Sequence, residues 1–417
     1  MVNNDVYNED ELNAPDWLNK DFFEKVLKNV ENKSTKVTDL VLTPGTLKND
    51  HYASVLFRAK VSYTVGTQPA QEKVNSYIIK TEPFVEGQKK DLVGDLHLFQ
   101  TEIRMYTEVL PLIEGVLRQY GDDTVLGPKL IHCSDTSPSF VVFEDLTQQG
   151  YTTLGFRHIN SDEIKKALLK LAKLHAISYK LSQEKTNIFA GMDKGSMNSV
   201  DPESFNFIKN ATKLMKEVLS EHADLRKFVP LIESVEHIFL SRTIDMFNEN
   251  RDGRLDGICV LNHGDFHAKN IMVQNVDGKL KDLMLLDYQI SIFGSPAIDL
   301  HYAFIMMFSP EMRREQFDEL LYYYITNFQE TLRRTEYKGR IPTNVEFRQE
   351  LQKRRYWGLF LLLSFLVFNY TFADENGDIA KVVENEETQK KTLRDPKLLN
   401  ELRELLPRFL YNGYFEY

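Results

Sequence analysis

The chain has 417 residues, of which 42% are hydrophobic and 27% charged, and its formal net charge is −10 at pH 7. These values predict a globular protein with room for two lobes, and the acidic balance argues against non-specific nucleic-acid binding. Cys133 and Cys259 lie in apolar strand-like runs, where we expect buried side chains and no disulfide framework, and this favours a reducing, cytoplasmic compartment. The acidic N-terminus does not have the pattern of a signal peptide.

The first part of the chain, 1–145, predicts a small α+β lobe that begins with an amphipathic helix at 16–32. Apolar runs bounded by turn residues predict a five-stranded antiparallel sheet, and an apolar stripe at helical spacing predicts one long helix at 95–120. The predicted strands are 38–43, 52–65, 73–81, 128–133 and 139–143. The lobe ends at 145, and the chain then becomes mostly helical.

The second part, 146–417, predicts a larger helical lobe that is interrupted by short strands at 258–292. The predicted helices are 160–181, capped by Ser161, and 203–222, 230–250, 297–308, 311–336, 344–372 and 395–410. The most apolar segment, 357–368, is shorter than the roughly 20 residues that span a bilayer. We therefore expect a buried helix there and no membrane span.

The most informative stretch is His263–Asn270, which reads HGDFHAKN. Asp265 lies five positions before Asn270 (265 to 270), and Asp287 ends an apolar run 22 positions after Asp265 (265 to 287). This is how kinase-type folds place a catalytic base, Asp265, and two Mg²⁺ ligands, Asn270 and Asp287. The alternative is that Asp265 and Asn270 only cap turns. The second carboxylate, strand-like runs on both sides and the hairpin signal Asp277-Gly278 favour the kinase interpretation.

A lysine and a glutamate predict the anchor for nucleotide phosphates. Lys80 ends an apolar strand, and Glu102 lies on the helix that follows. In kinases such a lysine binds the ATP phosphates and is itself held by a helix glutamate. Glu108 on the same helix is the alternative partner, and a solvated lysine with a surface glutamate is the structural alternative.

Two further segments predict nucleotide contacts. Residues 46–54, with Asn49 and Ser54, lie where a phosphate-covering loop belongs, although an ordinary hairpin explains them nearly as well. The segment after the apolar run 140–143 predicts the hinge that meets the adenine edge. Its residues are Glu144, Asp145 and Leu146.

Together these segments resemble the ecdysteroid kinase-like proteins of insects, within the wider choline kinase and aminoglycoside kinase group. The segments that carry the resemblance are Tyr52-Ala53-Ser54, Ile79-Lys80, Glu144-Asp145-Leu146, Leu171 to Ala176, His263-Gly264-Asp265 to Asn270, Leu286-Asp287-Tyr288-Gln289 and Asp299-Leu300. The resemblance covers about residues 20 to 410. It implies a bilobal protein-kinase-like fold, ATP with Mg²⁺, and a hydroxyl acceptor on an ecdysteroid or on a plant or xenobiotic compound.

The resemblance also implies roles for single residues. Asp265 is the catalytic residue, Asn270 and Asp287 are metal ligands, and Lys80 with Glu102 anchors the phosphates. Asn49 and His51 depart from the glycine and asparagine that are usual in the family's phosphate loop, and this leaves the phosphate contacts open.

Other polar residues are expected to have structural roles near the predicted active site. Ser295-Pro296 signals the start of a helix that carries Asp299. The resemblance implies that Asp299 braces the loop around Asp265, and we expect His263 to shape that loop. His267 either contacts substrate or phosphate or packs the loop. His175, on an apolar helical stripe, is a core histidine, and the histidines and cysteines show no zinc spacing.

Two other functions stay open at this point. A protein kinase shares the Asp and Asn spacing, but this chain has Asp287-Tyr288-Gln289 where protein kinases have Asp-Phe-Gly, and no Ala-Pro-Glu follows. A non-catalytic binding protein with a kinase fold is the second alternative. Every catalytic position is filled, which argues against it.

Overall fold

A computed structural model of the chain describes residues 12–45, 54–66, 71–83, 98–155, 157–198, 200, 206–372, 374, 377, 381–382 and 385–416. The chain divides into two compact units. Unit 1 comprises Met1–Leu112, Val125–Thr152 and Met272–Gln289, and unit 2 comprises Ile113–Thr124, Thr153–Ile271 and Ile290–Tyr417. Each unit is thus built from separate stretches of chain.

Unit 1 contains a five-stranded antiparallel sheet in the order β1-β2-β3-β5-β4. The strands are β1 (Thr35–Pro44), β2 (Val55–Val65), β3 (Gln71–Thr81), β4 (Leu130–Ser134) and β5 (Phe140–Glu144), and each overlaps a predicted strand. The alternating residues of β2 are buried from Val55 to Val65, which explains why the sequence pattern predicts it well.

Two helical segments accompany this sheet. The Lys20–Glu31 helix begins at Asn19, whose side chain accepts a hydrogen bond from the Phe22 N–H, and it packs Phe23 and Leu27 into the core of the sheet. Between β3 and β4 the chain forms the helices Leu98–Arg104 and Leu110–Gln119, joined by a π-helical turn at Met105–Val109. The predicted long helix is therefore present but contains a π turn.

A three-stranded sheet, in the order β6-β8-β9, belongs mainly to unit 1. Its strands are β6 (Tyr151–Thr153), β8 (Ile271–Val276) and β9 (Lys279–Leu285), and the two-stranded antiparallel sheet of unit 2 is formed by β7 (Val260–Asn262) and β10 (Ile292–Gly294). Asp277 and Gly278 link β8 and β9 with φ angles of 50° and 73°. The predicted hairpin turn is confirmed, because both positions have the positive φ that this turn needs.

Unit 2 is mostly helical. Its α-helices are Ser161–Glu184, Asn206–Ser220, Val229–Asn248, Ala297–Tyr302, Phe317–Arg334, Asn344–Lys353, Arg355–Phe360, Leu366–Phe372, Glu386–Leu393 and Pro396–Tyr411. Three π-helical segments, at Ala303–Met307, Met312–Gln316 and Leu361–Phe365, lie among them. A five-stranded antiparallel sheet with a helical segment between its third and fourth strands, followed by mostly helical chain, confirms the predicted α+β, protein-kinase-like fold class.

Four details differ from prediction. The first unit 2 helix is capped by Asn160 rather than Ser161, because the Asn160 side chain accepts from two backbone N–H groups and Glu163 completes a capping box. The predicted helix 344–372 is interrupted at Arg354, and the Glu386–Leu393 helix was not predicted. Both cysteines are half-buried rather than buried.

The apolar segment 357–368 lies in the helical run of unit 2, and nearly all of its residues are buried. Within the described ranges, no helix combines the length and the apolar character needed to cross a membrane.

Candidate active site

In unit 1, Lys80 connects two carboxylates. It lies near the end of β3, and its Nζ is 2.7 Å from Glu102 Oε2 and 2.6 Å from Asp287 Oδ1. All three side chains are at most 10% exposed. Glu108, the alternative partner, is exposed and pairs with Arg104 instead. The structure thus brings the predicted lysine together with Glu102 and also with Asp287.

Burial decides the electrostatics of this trio. Removal from water alone would lower the pKa of Lys80, but the charges of Asp287 and Glu102 outweigh this effect and raise it. Burial raises the pKa of Glu102, against the Lys80 charge, and the neighbouring Asp287 raises it further. Lys80 therefore stays a cation between Asp287 and Glu102 in a water-poor environment, where charge interactions are strong.

Asp287 is held in an unusual backbone conformation. Its φ is 64°, in the left-handed region that non-glycine residues rarely adopt. The next residue, Tyr288, is fully buried, donates a hydrogen bond from its hydroxyl to the Leu126 carbonyl at 2.8 Å, and packs edge-on against Tyr106. Tyr106 lies one helical turn after Glu102, so the same helical segment supports both Lys80 and Tyr288.

The predicted hinge lies at the end of β5. The Asp145 carboxylate is buried and accepts hydrogen bonds from Thr147, from Ser76 Oγ at 2.6 Å and from Arg58 Nε at 2.9 Å. Glu144 accepts hydrogen bonds from the Lys129 N–H and the Gln149 amide. These two side chains therefore fix the local fold, and the backbone is the part of the hinge that could meet an adenine. Leu146 is buried.

The predicted phosphate loop is described only at its end. Ser54 is buried immediately before β2. Asn49 and His51 lie outside the described residues.

In unit 2, residues 263–270, called the catalytic loop after their predicted role, run from β7 to β8. The Asp265 carboxylate has partners on both oxygens: the Tyr302 hydroxyl donates to Oδ1 at 2.8 Å, and Asn270 Nδ2 donates to Oδ2 at 2.9 Å. Asn270 Nδ2 also donates to the Asp265 carbonyl at 3.0 Å. The loop thus closes on itself through Asn270, and Tyr302 holds it from outside.

His267 faces the same carboxylate. Its Nδ1 accepts from the Lys269 N–H at 3.1 Å, so a neutral ring carries its proton on Nε2, which lies 3.3 Å from Asp265 Oδ1. Burial would raise the pKa of Asp265, but His267 and the Tyr302 hydrogen bond outweigh it and hold the pKa well below its ordinary value. Asp265 is therefore ionised at neutral pH. The structure places His267 against Asp265, a contact that sequence reasoning left open.

Asp299 holds the beginning of the loop. It accepts hydrogen bonds from the backbone N–H groups of His263 at 2.6 Å and Gly264 at 2.9 Å. Gly264 has a φ of 87°, and a Cβ there would lie 2.1 Å from the Ile290 carbonyl oxygen, so only glycine fits. His263 is buried, and its Nδ1 accepts from the Asp265 N–H at 3.3 Å.

His175 is a core residue that contacts this support. It is fully buried, its Nε2 lies 3.1 Å from Asp299 Oδ2, and its Nδ1 lies 2.7 Å from the Tyr324 hydroxyl. A buried chain therefore runs from Tyr324 through His175 and Asp299 to the backbone of the catalytic loop.

Sequence reasoning missed the roles of the tyrosines. No role for Tyr302 or Tyr324 follows from the sequence patterns, and Tyr288 enters only as part of the Asp287-Tyr288-Gln289 motif. One signal was available for Tyr302, because it lies three residues after Asp299 on the same short helix, so the two side chains share a helix face.

One of three comparisons with known proteins identifies a family. The model of the ecdysteroid kinase-like family matches residues 48–337. A search of curated proteins found no match.

Three solved structures are similar in part. Ethanolamine kinase from Plasmodium vivax is 15% identical, with a TM-score of 0.40 over 87% of this chain and 83% of that one. Choline kinase from Cryptosporidium parvum Iowa II is 13% identical, with a TM-score of 0.40 over 89% of this chain and 93% of that one. Wild-type aminoglycoside 2′-phosphotransferase-IIIa, solved as a GDP complex, is 16% identical, with a TM-score of 0.38 over 94% of this chain and 99% of that one.

Proposed function

This chain belongs to the ecdysteroid kinase-like family, and we propose that it transfers the γ-phosphoryl group of ATP to a hydroxyl of a small molecule, with Mg²⁺ as cofactor. Membership in this family makes the protein a small-molecule kinase. We propose an ecdysteroid or a plant or xenobiotic compound as the acceptor. The observation that carries this proposal is the ionised Asp265 carboxylate, held by Tyr302, His267 and Asn270 in the HGDFHAKN loop.

Asp265 is the proposed catalytic base. A carboxylate that is ionised at neutral pH can accept or orient the proton of an attacking hydroxyl, and its two oxygens are fixed by three side chains before any acceptor arrives. In phosphoryl transfer such positioning supplies much of the catalysis, because the protein does little covalent chemistry itself.

Asn270 and Asp287 are the proposed Mg²⁺ ligands, and their chemistry fits a hard cation. The Asn270 amide donates through Nδ2 to Asp265, and within the described ranges its Oδ1 makes no hydrogen bond and can serve as a ligand. The Asp287 carboxylate already faces a cation, the Lys80 ammonium. The described residues contain no cluster of three or more His, Cys, Asp or Glu suited to a metal, so phosphate oxygens and water would complete the coordination. When bound, Mg²⁺ neutralises charge on the phosphates.

Lys80 is the proposed phosphate anchor, with Glu102 as its support. A lysine held between two carboxylates keeps its charge and its position, which is what binding of a phosphate requires. We also propose that the backbone of 144–146 meets the adenine and that Asn49 and Ser54 belong to the phosphate loop.

The test is ATP turnover with Mg²⁺ against a panel of ecdysteroids, plant phenolics and glycosides, choline and an aminoglycoside, with products identified by mass. We expect Asp265→Asn to lower kcat at least about 100-fold while the Kd for ATP stays within about threefold, because general-base catalysis contributes roughly 10²–10⁴. Asp162→Asn, which removes an exposed carboxylate in the same unit, is the matched control.

Near-normal turnover in Asp265→Asn would remove Asp265 from the reaction. ATP binding without phosphorylation of any acceptor would favour a binding protein, and phosphate found only on added proteins would favour a protein kinase.

A further inference from the structure

A small cavity of unit 2, partly open to solvent, lies beside His267. Its wall is formed by the loop before the Ser161–Glu184 helix, the catalytic loop, the π-helical turn Ala303–Met307 and Asn369 from a later helix. Since His267 Nε2 is 3.3 Å from Asp265 Oδ1, the cavity adjoins the proposed base. A group bound in this cavity would therefore lie close to the reacting hydroxyl.

The charged side chains of the wall are already engaged. The Arg157 guanidinium donates to both carboxylate oxygens of Glu163, at 2.6 Å and 2.8 Å. Lys269 is likewise not without a partner. Desolvation and the charge of Arg313 lower the pKa of His158, so this ring is neutral at pH 7. The described part of the wall therefore suits a neutral ligand better than an ion, because an ion without a counter-charge is costly to take from water.

Three residues of the wall are buried, and only one of them is polar. Met306 and Met307 are almost fully buried, and Asn369 is 8% exposed. The Asn369 Nδ2 donates to the Ile305 carbonyl at 3.2 Å, which fixes the orientation of the amide. Among the described residues, none donates a hydrogen bond to its Oδ1. An acceptor in a confined, partly apolar cavity is best satisfied by a donor that a ligand brings.

The π-helical turn beside Asn369 has a second support. Arg313 is fully buried, and its NH1 donates to the Ile305 carbonyl at 2.7 Å and to the Phe304 carbonyl at 3.3 Å. The Ile305 carbonyl therefore keeps a donor when Asn369 is replaced. The binding role of the Asn369 amide can thus be tested separately from the fold of the turn.

We propose that this cavity is an acceptor subsite for a neutral hydroxyl group, and that Asn369 Oδ1 recognises this hydroxyl. The inference rests on the proposed function and narrows it: the preferred acceptors carry a second hydroxyl besides the one that is phosphorylated, on an apolar body. The second hydroxyl donates to Asn369 Oδ1, and Met306 and Met307 contact the carbon atoms next to it. Asn369 is therefore a specificity-determining residue, and an acceptor whose second oxygen is methylated loses the donor.

The experiment compares the ortho, meta and para isomers of benzenedimethanol with their monomethyl ethers, which keep one reactive hydroxyl and the second oxygen without its proton. Each is assayed with ATP and Mg²⁺ on the wild type, Asn369→Leu and Asn400→Leu, the last at an exposed asparagine of the same unit. For the isomer with the best spacing, the wild-type kcat/KM per reactive hydroxyl should be roughly threefold to tenfold higher for the diol than for its ether, as one neutral hydrogen bond provides.

The variants assign this preference to a residue. Asn369→Leu should lower the kcat/KM for the diol to the value for the ether and leave the ether within about twofold, whereas Asn400→Leu should change neither. Equal wild-type values for diol and ether would overturn the subsite, and this comparison stays decisive even if Asn369→Leu is unstable. A preference for the diol that Asn369→Leu retains would overturn the role of Asn369.

A second measurement does not need turnover. Proton NMR line broadening of the same diol and ether by the nucleotide-free protein compares their binding directly. The wild type should bind the diol more tightly, and Asn369→Leu should remove the difference. This result without phosphorylation of any acceptor supports the subsite and counts against the proposed function instead. Equal binding of diol and ether by the wild type counts against the subsite alone.

Discussion

Tyr302→Phe tests whether the hydroxyl of Tyr302 positions the proposed base. The tyrosine is buried, its hydroxyl is 2.8 Å from Asp265 Oδ1, and burial followed by the Asp265 charge raises its pKa well above the ordinary value, so it stays a donor at neutral pH. The substitution removes one hydrogen bond and keeps the ring. His267 and Asn270 still hold the carboxylate, so the base should become looser without being lost.

The magnitude follows from that geometry. A hydrogen bond to a charged group contributes about 1.5–3 kcal/mol, and about 1.36 kcal/mol corresponds to a tenfold change in rate. If most of this energy is used to orient Asp265 in the transition state, kcat should fall roughly tenfold to a hundredfold. The KM for ATP should not change, because the Tyr302 hydroxyl donates to Asp265, whereas the proposed phosphate anchor is Lys80 with Glu102. Steady-state kinetics with ATP and the best acceptor measure both values, and Tyr322→Phe, at an exposed tyrosine, is the control.

Stability supplies an independent readout. The folded-state pKa of Asp265 is depressed, so its stabilisation is present above the ordinary aspartate pKa of about 4 and is lost as the pH falls below it. Removing the Tyr302 donor moves this pKa back towards its ordinary value. Tyr302→Phe should therefore be less stable than the wild type at pH 7, and the difference should shrink as the pH falls below about 4. A kcat within twofold of the wild type, with equal stability at pH 7, would refute a positioning role.

Two further predictions concern Lys80 and His301. Lys80→Met should increase the affinity of the nucleotide-free protein for Mn²⁺ several-fold, because Lys80 and a metal ion compete for Asp287. Electron paramagnetic resonance measures this affinity, and Lys73→Met on the same strand is the control. Equal Mn²⁺ affinities of Lys80→Met and the wild type would contradict the competition. Burial lowers the pKa of His301 from 6.5 to about 4. Between these pH values the unfolded state binds more protons than the folded state, so the free energy of unfolding decreases as the pH falls, by about 3 kcal/mol in total. In His301→Asn the free energy of unfolding, measured by urea titration, should depend less on pH over this range. An unchanged pH dependence would contradict this role of His301.

Much of the fold follows from local sequence patterns. The strands of unit 1 are predictable because residues such as Phe57, Ala59 and Val61 alternate with polar ones, and a two-residue period has one interpretation. The helix break at Arg354 has no such local signal. Arg354 is buried and pairs with Glu350 and with Glu249, which lies more than 100 positions earlier in the chain, a contact that no local pattern encodes.

Some residues of the candidate site are also predictable from local sequence, and others are not. Asp265, Asn270 and Asp287 stand out in sequence because kinase chemistry needs them at fixed spacing. Tyr302 and His175 do not, since they act through contacts with Asp265 and Asp299 that only the folded chain creates. A tyrosine or histidine on an apolar helix face has the same sequence signature whether it fills a core or supports a base.

The backbone of Asp287 gives the strongest reason to connect the unit 1 cluster with function. A left-handed conformation costs a non-glycine residue about 1–2 kcal/mol, and burying two carboxylates around one lysine adds a desolvation cost. A strained residue persists only where its surroundings determine it, and here Tyr288 and Lys80 hold it from two sides. An apolar cluster of similar volume would be at least as stable without the strain. Stability alone therefore does not account for this arrangement, whereas the proposed binding of phosphates and a metal ion by Lys80 and Asp287 would account for it.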